Sequence, residues 1–260
     1  MGNFKWDQTG KREYQTGTDR GVLYSLNKDN SGNISYGINA NVTGSFAVPW
    51  NGLTAVTQSP SGAESNPIYA DNIKYLDLLS AEEFGFSITA YTYPDEFGEC
   101  DGSATLTPGV TIKQQKRKKF GFSYRSLLGN DVDGTDFGYE IHCIYGAQAG
   151  VSERAHTTVN ESPEAVELSW ACTTVPVEVG EIAGVKYKPT ACVTINSTEF
   201  TTEAQKAKLA AFENMLYDES TAKLPLPSEI YTFFTTQQTN TNTITDPAEP
   251  STDPAEPVEG

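Results

Sequence analysis

The chain has 260 residues and a formal net charge of −16, from 34 acidic and 18 basic side chains. That length builds one large or two small domains. The acid excess repels nucleic acid and anionic membranes at long range, and no apolar run approaches the ~18 residues of a membrane-crossing helix.

Residues 1–20 are polar almost throughout and read as a flexible N-terminal arm. They carry no export signal, so an unexported product is expected. Strand-like runs follow at 20–26 and 33–43. Between them lies "NKDNSGNIS" (27–35), and "GNDVDGTDFGYE" follows later at 129–140. Both approach an EF-hand calcium loop, which needs oxygen ligands at fixed positions and a closing bidentate Glu. Ile38 stands where the first loop needs that Glu, and Gly129 stands at the first ligand position of the second. The flanks alternate with period 2, so plain hairpin turns are expected.

Residues 44–67 form a connection far longer than the usual 4–6. They carry Phe46, Val48, Trp50, Leu53 and Val56. Apolar groups on a loop either fold back on their own domain or mark an interface. The expectation here is an interface with another copy.

Further strand-like runs lie at 68–79, 82–93, 110–126, 136–146, 164–175 and 184–195. Phe84, Phe86, Ile88 and Ala90 alternate with Glu83, Gly85, Ser87 and Thr89. Tyr139, Ile141, Cys143 and Tyr145 alternate with Gly138, Glu140 and His142. Leu168, Trp170 and Cys172 alternate with Glu167, Ser169 and Ala171. One apolar and one polar face per strand predicts a mainly β fold, an antiparallel sandwich or barrel-like domain. "PDEFGEC" from Pro94 predicts a single helical turn.

The run "KQQKRKK" holds Lys113, Lys116, Arg117, Lys118 and Lys119. In so acidic a chain it reads as a solvated face or as a partner for an acidic patch on a neighbouring copy. A flanking helix is predicted over about 202–217. Thr202 and Gln205 fit a capping box, and Ala204, Ala207, Leu209, Ala211, Phe212, Met215 and Leu216 include an apolar stripe at i, i+3, i+4 spacing. A short docked element follows, with Ser228 as a candidate N-cap. Residues 235–260 hold a duplicated TDPAEP and five acidic residues without a basic one. They read as a disordered acidic C-terminal tail.

The chain lacks GxSxG, P-loop, dinucleotide and HExxH signatures. Its two histidines are His142 and His156, and Cys100, Cys143, Cys172 and Cys192 lack the close pairing of zinc ligands. No enzyme activity, cofactor or metal is therefore expected.

Three blocks carry a resemblance: "YADNIKYLDLLSAEEFGFSITAYTYPDEFGECDGS", "QQKRKKFGFSYRSLLGNDVDGTDFGYEIHCIYGAQA" and "VNESPEAVELSWACTTVPVEV". Over roughly residues 20–234 the chain resembles the major tail protein, the tail-tube subunit, of siphophages and prophages of Gram-positive bacteria. The resemblance implies one tail-tube β domain over 21–234. It implies hexameric rings stacked into a virion tail tube, assembled in the host cytoplasm. It also implies a tape measure protein in the lumen, tail terminator and distal tail proteins at the ends, and DNA that passes without being held. The loop at 44–67 would then touch the adjacent ring. With the alternation above, it makes Ser35, Asn39, Asn41, Glu83, Ser87, Thr89, Glu167 and Ser169 candidates for the lumen wall. Lys113 to Lys119 become candidates for salt bridges between subunits. The alternatives are an exported carbohydrate-binding or adhesin sandwich, and a hydrolase built on paired carboxylates.

Overall fold

The computed structural model describes residues 4–29, 31–156, 158 and 165–236. In chain order the strands are β1 (Tyr14–Lys28), β2 (Ile34–Tyr36), β3 (Ala47–Pro49), β4 (Leu53–Gln58), β5 (Ser65–Ala70), β6 (Ile73–Leu79) and β7 (Gly85–Ala90). Then come β8 (Ala104–Thr107), β9 (Val110–Ile112), β10 (Phe120–Asn130), β11 (Gly134–Ala149), β12 (Leu168–Thr173), β13 (Glu181–Ile182), β14 (Val185–Lys186) and β15 (Cys192–Asn196). The helices are α1 (Gly98–Asp101), α2 (Glu203–Tyr217) and α3 (Pro227–Thr235).

Among the described residues nine antiparallel strands make one continuous path, β2-β1-β10-β11-β12-β7-β4, with β3 joined to β1 and β15 to β11, while β5–β6, β8–β9 and β13–β14 are separate two-stranded hairpins. The path folds over itself into two layers. β1, β10, β11 and β15 form the main sheet, and β12, β7 and β4 form the second. The expected mainly β sandwich is therefore present, but no closed barrel forms among the described residues. β11 belongs to both layers: residues 140–144 pair with β15, and Gln148 and Ala149 pair with β12. The crossing falls at Gly146, whose φ is +58° and where a Cβ would stand 2.2 Å from the Val175 carbonyl oxygen. Only glycine fits both demands.

Adjacent residues of the main sheet feed two separate cores. Leu23, Phe120, Phe122, Tyr124, Ile144 and Ala147 face the second sheet, where Phe86, Ile88, Trp170 and Cys172 meet them. Val22, Tyr24, Ile141, Cys143, Tyr145 and Ile195 face the opposite way, toward Leu209, Phe212, Leu216 and Ile230 of the helices. The central part of β1 and β11 is thus apolar on both sides, not wet on one. The order of layers is helix, sheet, sheet.

Helix α2 starts at the expected capping box. The Gln205 N–H donates to the Thr202 hydroxyl, and the Gln205 side-chain oxygen accepts from the Thr202 N–H. Helix α3 begins earlier than expected. Leu226, not Ser228, is its N-cap residue; Pro227 takes the first helical position and the Glu229 carboxylate accepts the Leu226 N–H at 2.9 Å. Proline suits that position because its missing N–H would have had no helical partner.

Several expected boundaries shift. The last seven residues of the arm over 1–20 are strand, since β1 starts at Tyr14. The run at 110–126 divides into β9, a linker and β10. The loops at 27–35 and 129–140 are turns between paired strands: Asp29 Oδ1 accepts the N–H groups of Ser31 and Asn33, and Asn130 Oδ1 those of Val132 and Asp133. Asn30, within the first loop, and residues 237–260, most of the expected acidic tail, lie outside the described residues.

Candidate assembly surfaces

The apolar loop at 44–67 does not form the expected outward finger. Trp50 is 4% exposed and sits among Phe97, Phe122 and Trp170 at ring-centroid distances of 4.6, 5.7 and 5.6 Å. Its Nε1–H donates to the Thr92 carbonyl oxygen at 2.9 Å. Phe46, Val48, Leu53 and Val56 pack against the same core. Burying such rings among their own domain's aromatics satisfies them without a partner. The stretch supplies β3 and β4, and its apolar residues stabilise the subunit itself.

The exposed arm lies next along the chain. β4 and β7 pair as a ribbon at the edge of the second sheet. Their pairing continues through Ser61 and Glu83, which exchange two backbone hydrogen bonds of 2.8 Å, and on into β5 and β6. At Gly62, with φ +86°, a Cβ would stand 2.1 Å from the Ala81 carbonyl oxygen, so the narrow root of the arm depends on glycine. The tip turns at Asp71 and Asn72, both with positive φ, the geometry of a type I′ hairpin turn. The run at 68–79, expected as one strand of the sandwich, is therefore the distal end of a hairpin.

Every residue from Ser65 to Leu79 except Ala70 is exposed. Ile68, Tyr69, Ile73, Tyr75, Leu76, Leu78 and Leu79 are seven large apolar side chains between 38% and 72% exposed. The register sorts them. Ile68 lies opposite Leu76, Ala70 opposite Ile73 and Asn66 opposite Leu78, which sets Ile68, Ile73, Leu76 and Leu78 on one face. The other face carries the Asp77 carboxylate, which accepts from the Ser65 hydroxyl and the Lys74 ammonium. A lone two-stranded hairpin is marginal in water, so this arm carries a dense apolar face on little intrinsic stability.

The candidate lumen residues separate into two groups. Ser169 pairs with Thr89, and Ala171 with Ser87; Ala55 and Thr57 of β4 lie beyond them. These residues share the outer face of the second sheet, because Phe86, Ile88, Trp170 and Cys172 point into the core. Glu167 stands at the rim of that face, its carboxylate accepting from the Thr54 hydroxyl at 2.7 Å. β4, β7 and β12 contain no Lys or Arg, so the face is small and uncharged with an acidic rim. Glu83 lies at the root of the arm. Ser35, Asn39 and Asn41 are not brought to this face. They sit on β2 and the turn after it, where Asn39 donates to the Ser35 hydroxyl and accepts from the Asn41 N–H.

A second polar surface, absent from the sequence-based list, lies where the main sheet runs past the second. It is an open groove of about 600 Å³ lined by residues including Gln15, Gln58, Tyr124, Ser126, Glu140 and His142. His142 Nε2 is 2.9 Å from the Ser126 hydroxyl, and Nδ1 is 3.1 Å from the Thr194 hydroxyl. The ring stacks on Tyr124 at 4.6 Å. Burial pushes the imidazole down to about 4, so it is neutral at physiological pH. A Ser–His contact is half of an acyl-transfer triad, but the triad needs a carboxylate on the second ring nitrogen. Here a neutral hydroxyl holds that place, and Glu140 stands 3.7 Å from the nitrogen already bonded to serine. The groove therefore places no carboxylate on the second ring nitrogen, and burial outweighs Glu140 in keeping the ring neutral.

Burial also raises the thiols of Cys100 and Cys172 to about 12 and that of Cys192 to about 11, and raises Cys143 further still. None is a thiolate at neutral pH. All four are free. Among the described residues no group of three or more His, Cys, Asp or Glu is placed to hold a metal ion.

The basic run follows the β8–β9 hairpin. Lys118 pairs with Glu99 at 2.5 Å. Lys113, Lys116, Arg117 and Lys119 have no acidic partner within 4 Å among the described residues.

No protein-family model matches the chain, and no curated protein matches it. Among solved structures, a chain from the six-fold symmetrised cryo-EM structure of the anti-feeding prophage baseplate aligns with 6% identity and a TM-score of 0.29. The alignment covers 74% of this chain and 97% of that one. A likeness at that score carries no weight for fold or function.

Proposed function

We propose that the chain is a structural subunit that polymerises with copies of itself into a phage-type tail tube, and that it has no catalytic role. One observation carries the reading: the ribbon from Ser61 to Glu83 leaves the sandwich and exposes seven large apolar side chains. A monomer gains nothing from such an arm. Exposed apolar surface of this density marks an interface. A contact between an arm and a different surface of the next copy is heterologous, and contacts of that kind propagate into rings or filaments.

The sequence blocks quoted above support the finer version, in which hexameric rings stack into a conduit for DNA within the virion. In that version the arm, rather than Trp50 and its neighbours, makes the contact between rings. The outer face of the second sheet, with Ser87, Thr89, Ser169 and the Glu167 rim, is the surface best suited to a lumen. It offers no cation to a polyphosphate, so nucleic acid passes it without counterion release holding it in place. The tape measure protein would lie against that wall, and terminator and distal tail proteins would close the ends.

The test replaces residues 62–82 with a two-residue Asn-Gly turn, which suits the tight hairpin left behind. The expected variant is folded, with an unchanged circular dichroism spectrum, and stays monomeric at concentrations where the full chain makes tubes by negative-stain electron microscopy. Tubes from the armless variant, or a full chain that stays monomeric at every concentration, would overturn the reading.

A further inference from the structure

The strip Lys113–Lys119 concentrates five of the chain's 18 basic side chains in seven positions of an acidic protein. The fold gives four of them no acidic partner within 4 Å among the described residues, and Arg117 Nε is buried without a hydrogen-bond partner there. The adjoining β8–β9 hairpin exposes Leu106 and Val110. The surface is therefore cationic with an apolar margin. It calls for a segment that is acidic with a few aliphatic side chains.

The same chain contains one. Residues 237–260 carry Asp246, Glu249, Asp253, Glu256 and Glu259, no Lys or Arg, and the aliphatics Ile244 and Val258. We propose that Lys113–Lys119 is the docking site for this acidic C-terminal segment of the same chain. The proposal does not rest on the tube reading.

Chain geometry permits it. Phe120 directly follows the strip, and a Cβ at Gly121 would stand 2.8 Å from Leu224 Cδ2. Leu224 lies just ahead of α3, whose nine residues rise about 14 Å. The strip and the end of α3 are thus within about 50 Å of each other, whereas residues 237–260 span up to about 80 Å when extended. A tether of that length holds the acidic groups near the strip at roughly millimolar effective concentration. Weak charge pairing then suffices in a single copy, where a separate peptide would need to be added in excess. Screening cuts the attraction as the Debye length shrinks from about 8 Å at physiological salt to about 3 Å at 1 M.

A zero-length carbodiimide, which joins carboxylates to nearby lysine amines, tests this on the full chain, below the concentration at which light scattering detects assembly. The Lys118–Glu99 pair is the internal positive control. Links from Asp246, Glu249, Asp253, Glu256 and Glu259 should fall on Lys113, Lys116 and Lys119 about tenfold more often than on the exposed Lys186 and Lys188, given the local concentration effect. They should vanish at about 1 M salt. In an equal mixture of light and nitrogen-15-labelled protein, they should join light to light and heavy to heavy. An even spread over all exposed lysines overturns the proposal. Mixed light–heavy links in the expected pattern overturn it too, by placing the tail on a second copy. Failure of either kind leaves the arm experiment untouched, because that experiment reads assembly and this one reads a contact within the monomer.

Discussion

Trp50 donates its indole N–H to the carbonyl oxygen of Thr92, and this bond ties the segment between β3 and β4 to the strand end beyond β7. It fixes the ring among Phe97, Phe122 and Trp170. Trp50→Ala should therefore destabilise the subunit by about 3–5 kcal/mol, the usual cost of emptying a large aromatic site. The midpoint of urea unfolding measures it. A stable variant that merely fails to assemble would return Trp50 to the interface.

Ile73 and Leu76 lie on the apolar face of the arm, 63% and 38% exposed. Ile73→Ser with Leu76→Ser should leave the thermal midpoint of the monomer nearly unchanged, since surface substitutions usually fall within about 0.5 kcal/mol. Assembly should shift to at least roughly tenfold higher protein concentration, which corresponds to about 1.4 kcal/mol lost per contact. Sedimentation velocity reads both species. Equal assembly of variant and parent counts against the arm.

His142 titrates at about 4 in the folded chain and near 6.5 when unfolded, because burial disfavours the imidazolium. Between those values the unfolded chain binds the extra proton, so stability falls as pH drops from about 6.5 toward 4 and levels off below. His142→Gln removes that contribution. The difference between the two stability profiles should be flat above pH 7 and slope only within the window. A flat difference throughout would mean that the ring is not desolvated as the structure has it.

Cys100, Cys143, Cys172 and Cys192 are free thiols held well above neutral pH by burial. An aromatic disulfide reagent at pH 8 should label none of them in the native chain within minutes and all four in denaturant. Rapid native labelling of Cys192, the one that is only half-buried, would show local opening at β15.

Alternation made the sandwich legible: Phe86, Ile88 and Ala90 point inward and Ser87 and Thr89 outward, as the period demands. The α2 cap was legible too, because Thr202 and Gln205 act locally. The arm was not. Its turn uses Asp71 and Asn72 at positive φ without a glycine, so no glycine marks the reversal and 68–79 reads as one strand. Trp50 was ambiguous for a different reason. A core site and an interface site present the same residue types, and the partners that decide between them, Phe97, Phe122 and Trp170, are distant in sequence. Ser35, Asn39 and Asn41 share the polarity and alternation of Ser87, and polarity alone does not reveal which layer a strand joins. The groove around His142 was hidden because it arises only where one sheet outruns the other.

The bend at Gly146 has a mechanical corollary. One unbroken backbone segment serves both layers, so they cannot slide past each other unless that segment's own cross-strand bonds rupture. Each copy should therefore respond to strain as a stiff block. Any suppleness in a filament built as proposed would reside in the joints between blocks and not within them.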